Sequence, residues 1–250
     1  EISEETKNIK IFGVFDPEDN DFDLNMWSQT DADNVRSSMK RISKIKLSNT
    51  ATKLFESTIL SFAYPPKGME EEEFLNLKID WLIENKRIDL IEKFLKQNQT
   101  FPNKKKLIQN LVDNNIAKAD IKEGCSKINF LDKDIKDSYL EKFKIYCLVY
   151  DKKNSEAQLQ LDILREEKKS DNFFDNKINF LLGVTDKTST KIREDNLLNF
   201  YLSSVTIKDF KFEPKKSTKK IIWEYLNAAN LIKLDDNRDK EKLKSLEIAA

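Results

Sequence analysis

From about residue 30 onward the apolar residues recur every three or four positions, and little interrupts them. The 250-residue chain holds only four glycines and five prolines. That spacing gathers apolar side chains on one face of an α-helix, and so little glycine and proline leaves few tight turns and few strand breaks. Val35, Met39 and Ile42 form a first stripe behind a capping box of Thr30 with Asp33. Leu54, Phe55, Ile59 and Phe62 form the next, stopped by Pro65, Pro66 and Gly68. Phe74, Leu77 and Trp81 follow, on a helix that opens with Glu70 to Glu73, whose charges face the positive end of the helix dipole. Ile88, Ile91 and Leu95 come after a short link at Asn85 to Arg87; Leu107, Leu111 and Val112 come after Pro102. Then come Ile121, Cys125 and Ile128, and Leu140, Phe143, Cys147 and Tyr150. Ala157, Leu161 and Leu164 stand behind an N-cap pair, Asn154 and Ser155. Phe174, Ile178 and Leu181 close at Gly183, and Leu197, Tyr201 and Val205 precede Ile222, Leu226 and Ala229. A charged tail from Asp239 to Ala250 offers only Leu243 and Leu246. About a dozen helices are expected.

Turns near Asn85, Asn114, Asp151 and Asp186 lie roughly 29–37 residues apart. Two helices and two short links give a period near ~34, that of a tetratricopeptide-like unit. The expected fold is therefore all-α, an α-solenoid of tetratricopeptide-like antiparallel helix pairs, with a compact helical bundle as the alternative. Residues 1–30 read differently. Ile9 to Phe15 alternate as a short extended segment, and Asp16 to Asp23 follow as an acidic loop. Residues 31–250 are expected to form one continuous helical-repeat domain, possibly part of a longer protein. Glu1 is not an initiator Met, which fits either a trimmed chain or a removed leader.

Composition excludes much chemistry. There is no histidine, so His-dependent zinc sites, a Ser-His-Asp triad and a histidine proton shuttle are impossible. Lys+Arg and Asp+Glu both number 44, whereas a dedicated nucleic-acid binder normally carries a basic surplus. No apolar run approaches the ~20 residues of a membrane span. The four glycines stand alone, so no phosphate-cradling loop exists. An EF-hand reading from Asp19 fails, with Leu24 at the glycine position and Thr30 at the glutamate position. Carboxylate pairs are numerous but none carries an acid/base signature. Lys104 to Lys106 and Lys215, Lys216, Lys219 and Lys220 read as solvated faces. Trp27, Trp81 and Trp223 read as core. No catalytic residue, cofactor or metal site is expected.

Two features remain. Cys125 and Cys147 lie on the apolar stripes of consecutive helices, placed symmetrically about the link near residue 136. In an antiparallel hairpin the two sulfurs then meet, and the bridge implies an oxidising compartment; the alternative is two buried thiols in a cytoplasmic core. Tyr139, Tyr146 and Tyr150 give their helix more than one aromatic face, a candidate groove lining.

Ile11 to Pro17, Met26-Trp27, Leu60, Ala63 and Pro65 to Gly68 resemble the start of an uncharacterised, exported helical-repeat family of alphaproteobacteria. Cys125, Tyr146-Cys147, Leu164 to Glu166 and Leu181 to Gly183 resemble its central section. The resemblance implies a cleaved leader, an all-helical repeat fold, a paired cysteine, a longer full-length protein and no assigned activity. The Lys- and Asn-rich composition departs from that family's Ala-rich norm.

The function expected is a non-enzymatic scaffold, periplasmic or otherwise exported, presenting a concave surface to a protein or peptide partner, with no nucleic acid as a partner and no membrane span. The alternative is an accessory domain of a cell-wall enzyme touching glycan.

Overall fold

A computed structural model describes residues 10–232. The charged tail with Leu243 and Leu246 lies outside the described residues. Within them the chain is all-helical: eleven α-helices, two 3-10 turns, and two isolated bridges, Phe15 with Ser61 and Asp31 with Lys67. None of these helices is long and apolar enough to cross a membrane. The chain divides into two units, one up to Leu107 and one from Ile108 on.

The first unit holds α1 (Ala32–Ile42), α2 (Asn49–Ile59), α3 (Glu71–Glu84), α4 (Ile88–Gln97) and the first turn of α5 (Lys104–Ala117). Asp31, rather than Thr30, occupies the N-cap of α1; the Thr30 carbonyl instead accepts from Lys67 N–H at 3.0 Å. Helix α2 stops at Ile59 because the chain beyond it pairs with the extended N-terminal segment. Val14 N–H donates to the Leu60 carbonyl at 2.7 Å, and Phe62 N–H to the Phe15 carbonyl at 3.0 Å. Phe62 thus leaves the helical stripe, and Leu54 is 66% exposed, so α2 buries Glu56 and Ile59 instead. The buried Glu56 carboxylate takes Arg87 and the indole N–H of Trp81. The glycine at 13 is required by this pairing: a Cβ there would stand 2.5 Å from the Phe62 nitrogen.

The second unit continues α5 and adds α6 (Ile121–Lys127), α7 (Ser138–Tyr150), α8 (Asn154–Glu166), α9 (Asn172–Leu181), α10 (Leu197–Thr206) and α11 (Lys220–Ala228). Helix α7 packs on α6, α8 and α9, and α10 packs on α9 and α11. The core between them includes Leu140, Phe143, Leu161, Phe174, Ile178, Phe200 and Leu226, each fully buried. Phe200 is ringed edge-on by Phe210, Phe212 and Tyr225. Helix α5 runs through Asn114 to Ala117, so the turn expected near Asn114 falls at Lys118 to Asp120. Likewise Asn154 is already helical, with Lys153 as the N-cap.

Tight helix ends are commoner than so little glycine suggests. Helices α3, α5, α7, α8, α9 and α11 each end two residues before a left-handed residue: Lys86, Ala119, Lys152, Lys168, Gly183 and Asn230. After α7, Lys152 N–H donates to the Val149 carbonyl at 3.0 Å and Lys153 N–H to the Leu148 carbonyl at 2.8 Å. The other five repeat this double bond, the Schellman arrangement that satisfies carbonyls left free at a helix end. Only one of the six uses glycine. The others accept the steric cost of a Cβ in the left-handed region, about 1 kcal/mol each.

Candidate functional site

A recess of the second unit forms where the short helix α6 gives way to an irregular link. Asp120 caps α6, its carboxylate accepting from Glu123 N–H at 3.1 Å. Gly124 lets α6 lie close to its neighbours, since a Cβ there would come within 3.3 Å of Asn115 and Phe143. Cys125 and Cys147 form a disulfide, with Cα atoms 5.5 Å apart, tying α6 to α7. After one 3-10 turn (Ile128–Phe130) the chain runs irregularly to Asp137, whose carboxylate caps α7 through Tyr139 and Leu140 N–H, both at 3.1 Å. The disulfide therefore closes the loop that carries this link.

Between the link, α7 and α8 lies a cleft of about 380 Å³. Its floor is aliphatic: Leu131, Ile135, Ile145, Ile163 and Leu164. Ile145 and Leu164 are buried, but Ile163 is 40% exposed, and Leu159, one turn earlier on α8, is exposed as well. These two lie off the Ala157, Leu161 and Leu164 stripe that packs α8 into the core. The rim is charged. Lys169 bridges Glu141 and Glu167, at 3.4 Å and 2.6 Å. The hydrogen bond from Lys169 holds the Glu167 carboxyl below its ordinary value, and the same bond raises the Lys169 ammonium. Exposed Lys133, Lys136 and Lys144 share the rim with Asp132, and the charge of Lys136 also acts on Glu167.

The three tyrosines singled out by the sequence go to three surroundings. Tyr146 is buried, its hydroxyl 2.6 Å from that of Tyr201, and burial pushes its phenol up. Tyr150 is 46% exposed at the end of α7. Tyr139 donates to Asp113 of α5. Burial raises the Asp113 carboxyl to about 6, against the opposing bonds from Tyr139 and Gln109. None of the three lines the cleft.

Buried lysines are the other chemistry the sequence reading missed. Lys78 of α3 is 1% exposed and forms no ion pair among the described residues; its ammonium donates to the Phe12 and Ser61 carbonyls at 2.6 and 2.9 Å. Burial brings its pKa down to about 7. Lys177 of α9, fully buried, donates to the Ser189 carbonyl at 2.6 Å, and burial lowers it to about 8. Lys104, assigned to a solvated face from its basic neighbours, is in fact buried and donates to the Gln99 carbonyl at 2.6 Å. The available signal was position: Lys78 falls within the apolar run Phe74 to Trp81, and Leu159 and Ile163 are apolar residues outside a stripe already complete.

The fold and the cleft define an all-α protein, over its described residues, with an aliphatic recess rimmed by lysines and carboxylates in equal number. No protein-family model matches the chain, and neither a curated protein nor a solved structure matches it.

Proposed function

We propose that the chain is a non-catalytic scaffold that seats a protein or peptide partner, built from tetratricopeptide-like helix pairs and working in an oxidising, extracytoplasmic compartment. The observation that carries the reading is the cleft of the second unit, where exposed Ile163 and Leu159 extend an aliphatic floor outward along α8. An exposed aliphatic strip beside a recess is costly in water unless something covers it part of the time.

Helix spacing supports the repeat. Helices α3, α5, α7 and α9 begin at Glu71, Lys104, Ser138 and Asn172, about 33–34 residues apart, which is the tetratricopeptide period. The left-handed residues Lys86, Ala119 and Lys152 recur at the same interval. Within the second unit α7 packs on its partner α8 and on the next first helix, α9. The Cys125–Cys147 bridge supports the compartment.

A peptide-display selection tests the partner. The full chain serves as target and a Leu159→Asp/Ile163→Asp variant as counter-target. Sequences retained by the parent and lost on the variant are expected; no enrichment above an unrelated helical protein overturns the scaffold reading. Thiol trapping in intact cells tests the compartment: cysteines found alkylatable in the native protein would place it where thiols stay reduced.

A further inference from the structure

We infer that the first unit carries a peptide site that reads main chain, occupied by the protein's own residues 10–15 and open to an extended partner segment of apolar-Gly-apolar pattern. The inference concerns the first unit alone and does not rest on the cleft of the second. Main-chain groups of four consecutive residues, 12–15, are all taken up from outside the segment. Lys78 Nζ donates to the Phe12 carbonyl at 2.6 Å. The Asn98 side chain accepts from Gly13 N–H at 3.4 Å and donates to the Gly13 carbonyl at 2.8 Å. Val14 N–H reaches the Leu60 carbonyl at 2.7 Å, and the Phe15 carbonyl takes Phe62 N–H at 3.0 Å. Bonds of this kind give affinity for an extended chain whatever its side chains, as in strand addition to a sheet edge.

The two long donors are anchored without the segment. Lys78 also donates to the Ser61 carbonyl at 2.9 Å, and Asn98 to the Phe94 carbonyl at 2.8 Å. Each has one bond to the body of the unit and one to its occupant, so binding there costs little ordering. An apolar side chain at position 78 would pack α3 without burying an ammonium, so the carbonyls it meets account for the lysine. Side chains then add a filter. A Cβ at position 13 would stand 2.5 Å from the Phe62 nitrogen and 2.8 Å from the Ser61 carbonyl carbon, so only glycine enters there. Val14 is buried, and the Phe12 ring lies 6.0 Å from that of Phe101, which calls for apolar residues on both sides. Tethering gives the chain's own segment an effective concentration of roughly millimolar order, so a partner segment enters when that one is displaced.

Fluorescence anisotropy on the full chain tests this, with a labelled peptide of residues 10–19 as the probe. In Gly13→Val the chain's own segment loses its seat, and the probe binds that variant at least about tenfold more tightly than the parent. A probe carrying Phe12→Leu and Val14→Ile binds it as well. A probe carrying Gly13→Val, or a methyl group on the Val14 nitrogen, binds at least about tenfold more weakly. Should the Gly13→Val chain not fold, a parent cut at a protease site inserted after exposed Asp19 keeps every residue, and excess probe exchanges with its cut segment. Equal binding to parent and Gly13→Val, or no exchange in the cut chain, overturns the site. Full binding of the N-methyl probe, or loss of the Phe12→Leu/Val14→Ile probe, overturns the reading of main chain. The scaffold reading of the second unit survives each of these results.

Discussion

Both units bury lysines against backbone carbonyls, but Lys78 of the first and Lys177 of the second work on different scales. In the first unit Lys78 holds two separate stretches, the extended segment at Phe12 and the chain after α2 at Ser61. Asn98 adds a second clamp on the same segment, its amide donating to the Gly13 carbonyl at 2.8 Å. In the second unit Lys177 holds one carbonyl, Ser189, in the loop between α9 and α10. That unit has a covalent tie as well, the Cys125–Cys147 bridge. Helices satisfy their own backbone, whereas irregular segments packed on them bring carbonyls that need a donor. A long lysine supplies three donors, and the cost is an ammonium held away from water.

The largest expected effect tests whether Lys78 is such a clamp. Lys78→Ala leaves two carbonyls without a donor and a cavity beside them, and should lower stability by about 3–5 kcal/mol in urea unfolding. A loss under about 1 kcal/mol would show that the segment is held without it. Next in size is the disulfide: reduction, or Cys125→Ser with Cys147→Ser, should cost about 3 kcal/mol in the chain-entropy account. Hydrogen exchange should quicken in α6 and α7 and hold steady in α3 and α4; an equal change in both would break the contrast between the units. Lys177→Ala should cost less than Lys78→Ala, about 1–2 kcal/mol, because one carbonyl rather than two loses its donor.

The pH dependence sharpens the same contrast. Unfolded, both lysines titrate at the ordinary 10.5; folded, they titrate at about 7 and about 8. The unfolded chain thus holds more protons between those values, so stability rises with pH across that window. Below about 7 the burial penalty on Lys78 is present in full. Lys78→Met should flatten the rise from about 7 upward, and Lys177→Met only the part from about 8; parallel curves for parent and Lys78→Met would contradict the assignment. The smallest effect is a gain. Lys152→Gly relieves a left-handed Cβ at the end of α7 and should raise stability by about 0.5–1 kcal/mol, read as a higher urea midpoint.

Legibility followed periodicity. The link at Asn85 to Arg87 was readable to the residue, because α3 and α4 each carry a clear apolar stripe and nothing else competes there. The end of α2 was not: Phe62 sits at helical spacing, but pairing with Phe15, some 47 positions away, draws it off the helix. The disulfide was legible as a pairing of symmetric positions, though its oxidation was not. The cleft was the least legible. Leu159 and Ile163 stand out as surplus apolar residues on α8, yet nothing near them in sequence says that Leu131 and Ile135 complete a floor with them.

By itself, then, the sequence determined the all-helical class, most of the helix positions and the chemistry excluded by the absence of histidine, because each depends on local spacing or on composition. Tertiary structure alone decided which lysines lose water, which carboxylates are already neutralised and where an aliphatic recess stays open. Those depend on contacts between residues distant in sequence, and desolvation has no local signature. A lysine in an apolar run looks the same on paper whether its ammonium reaches solvent or, as with Lys78, ends against the carbonyls of Phe12 and Ser61.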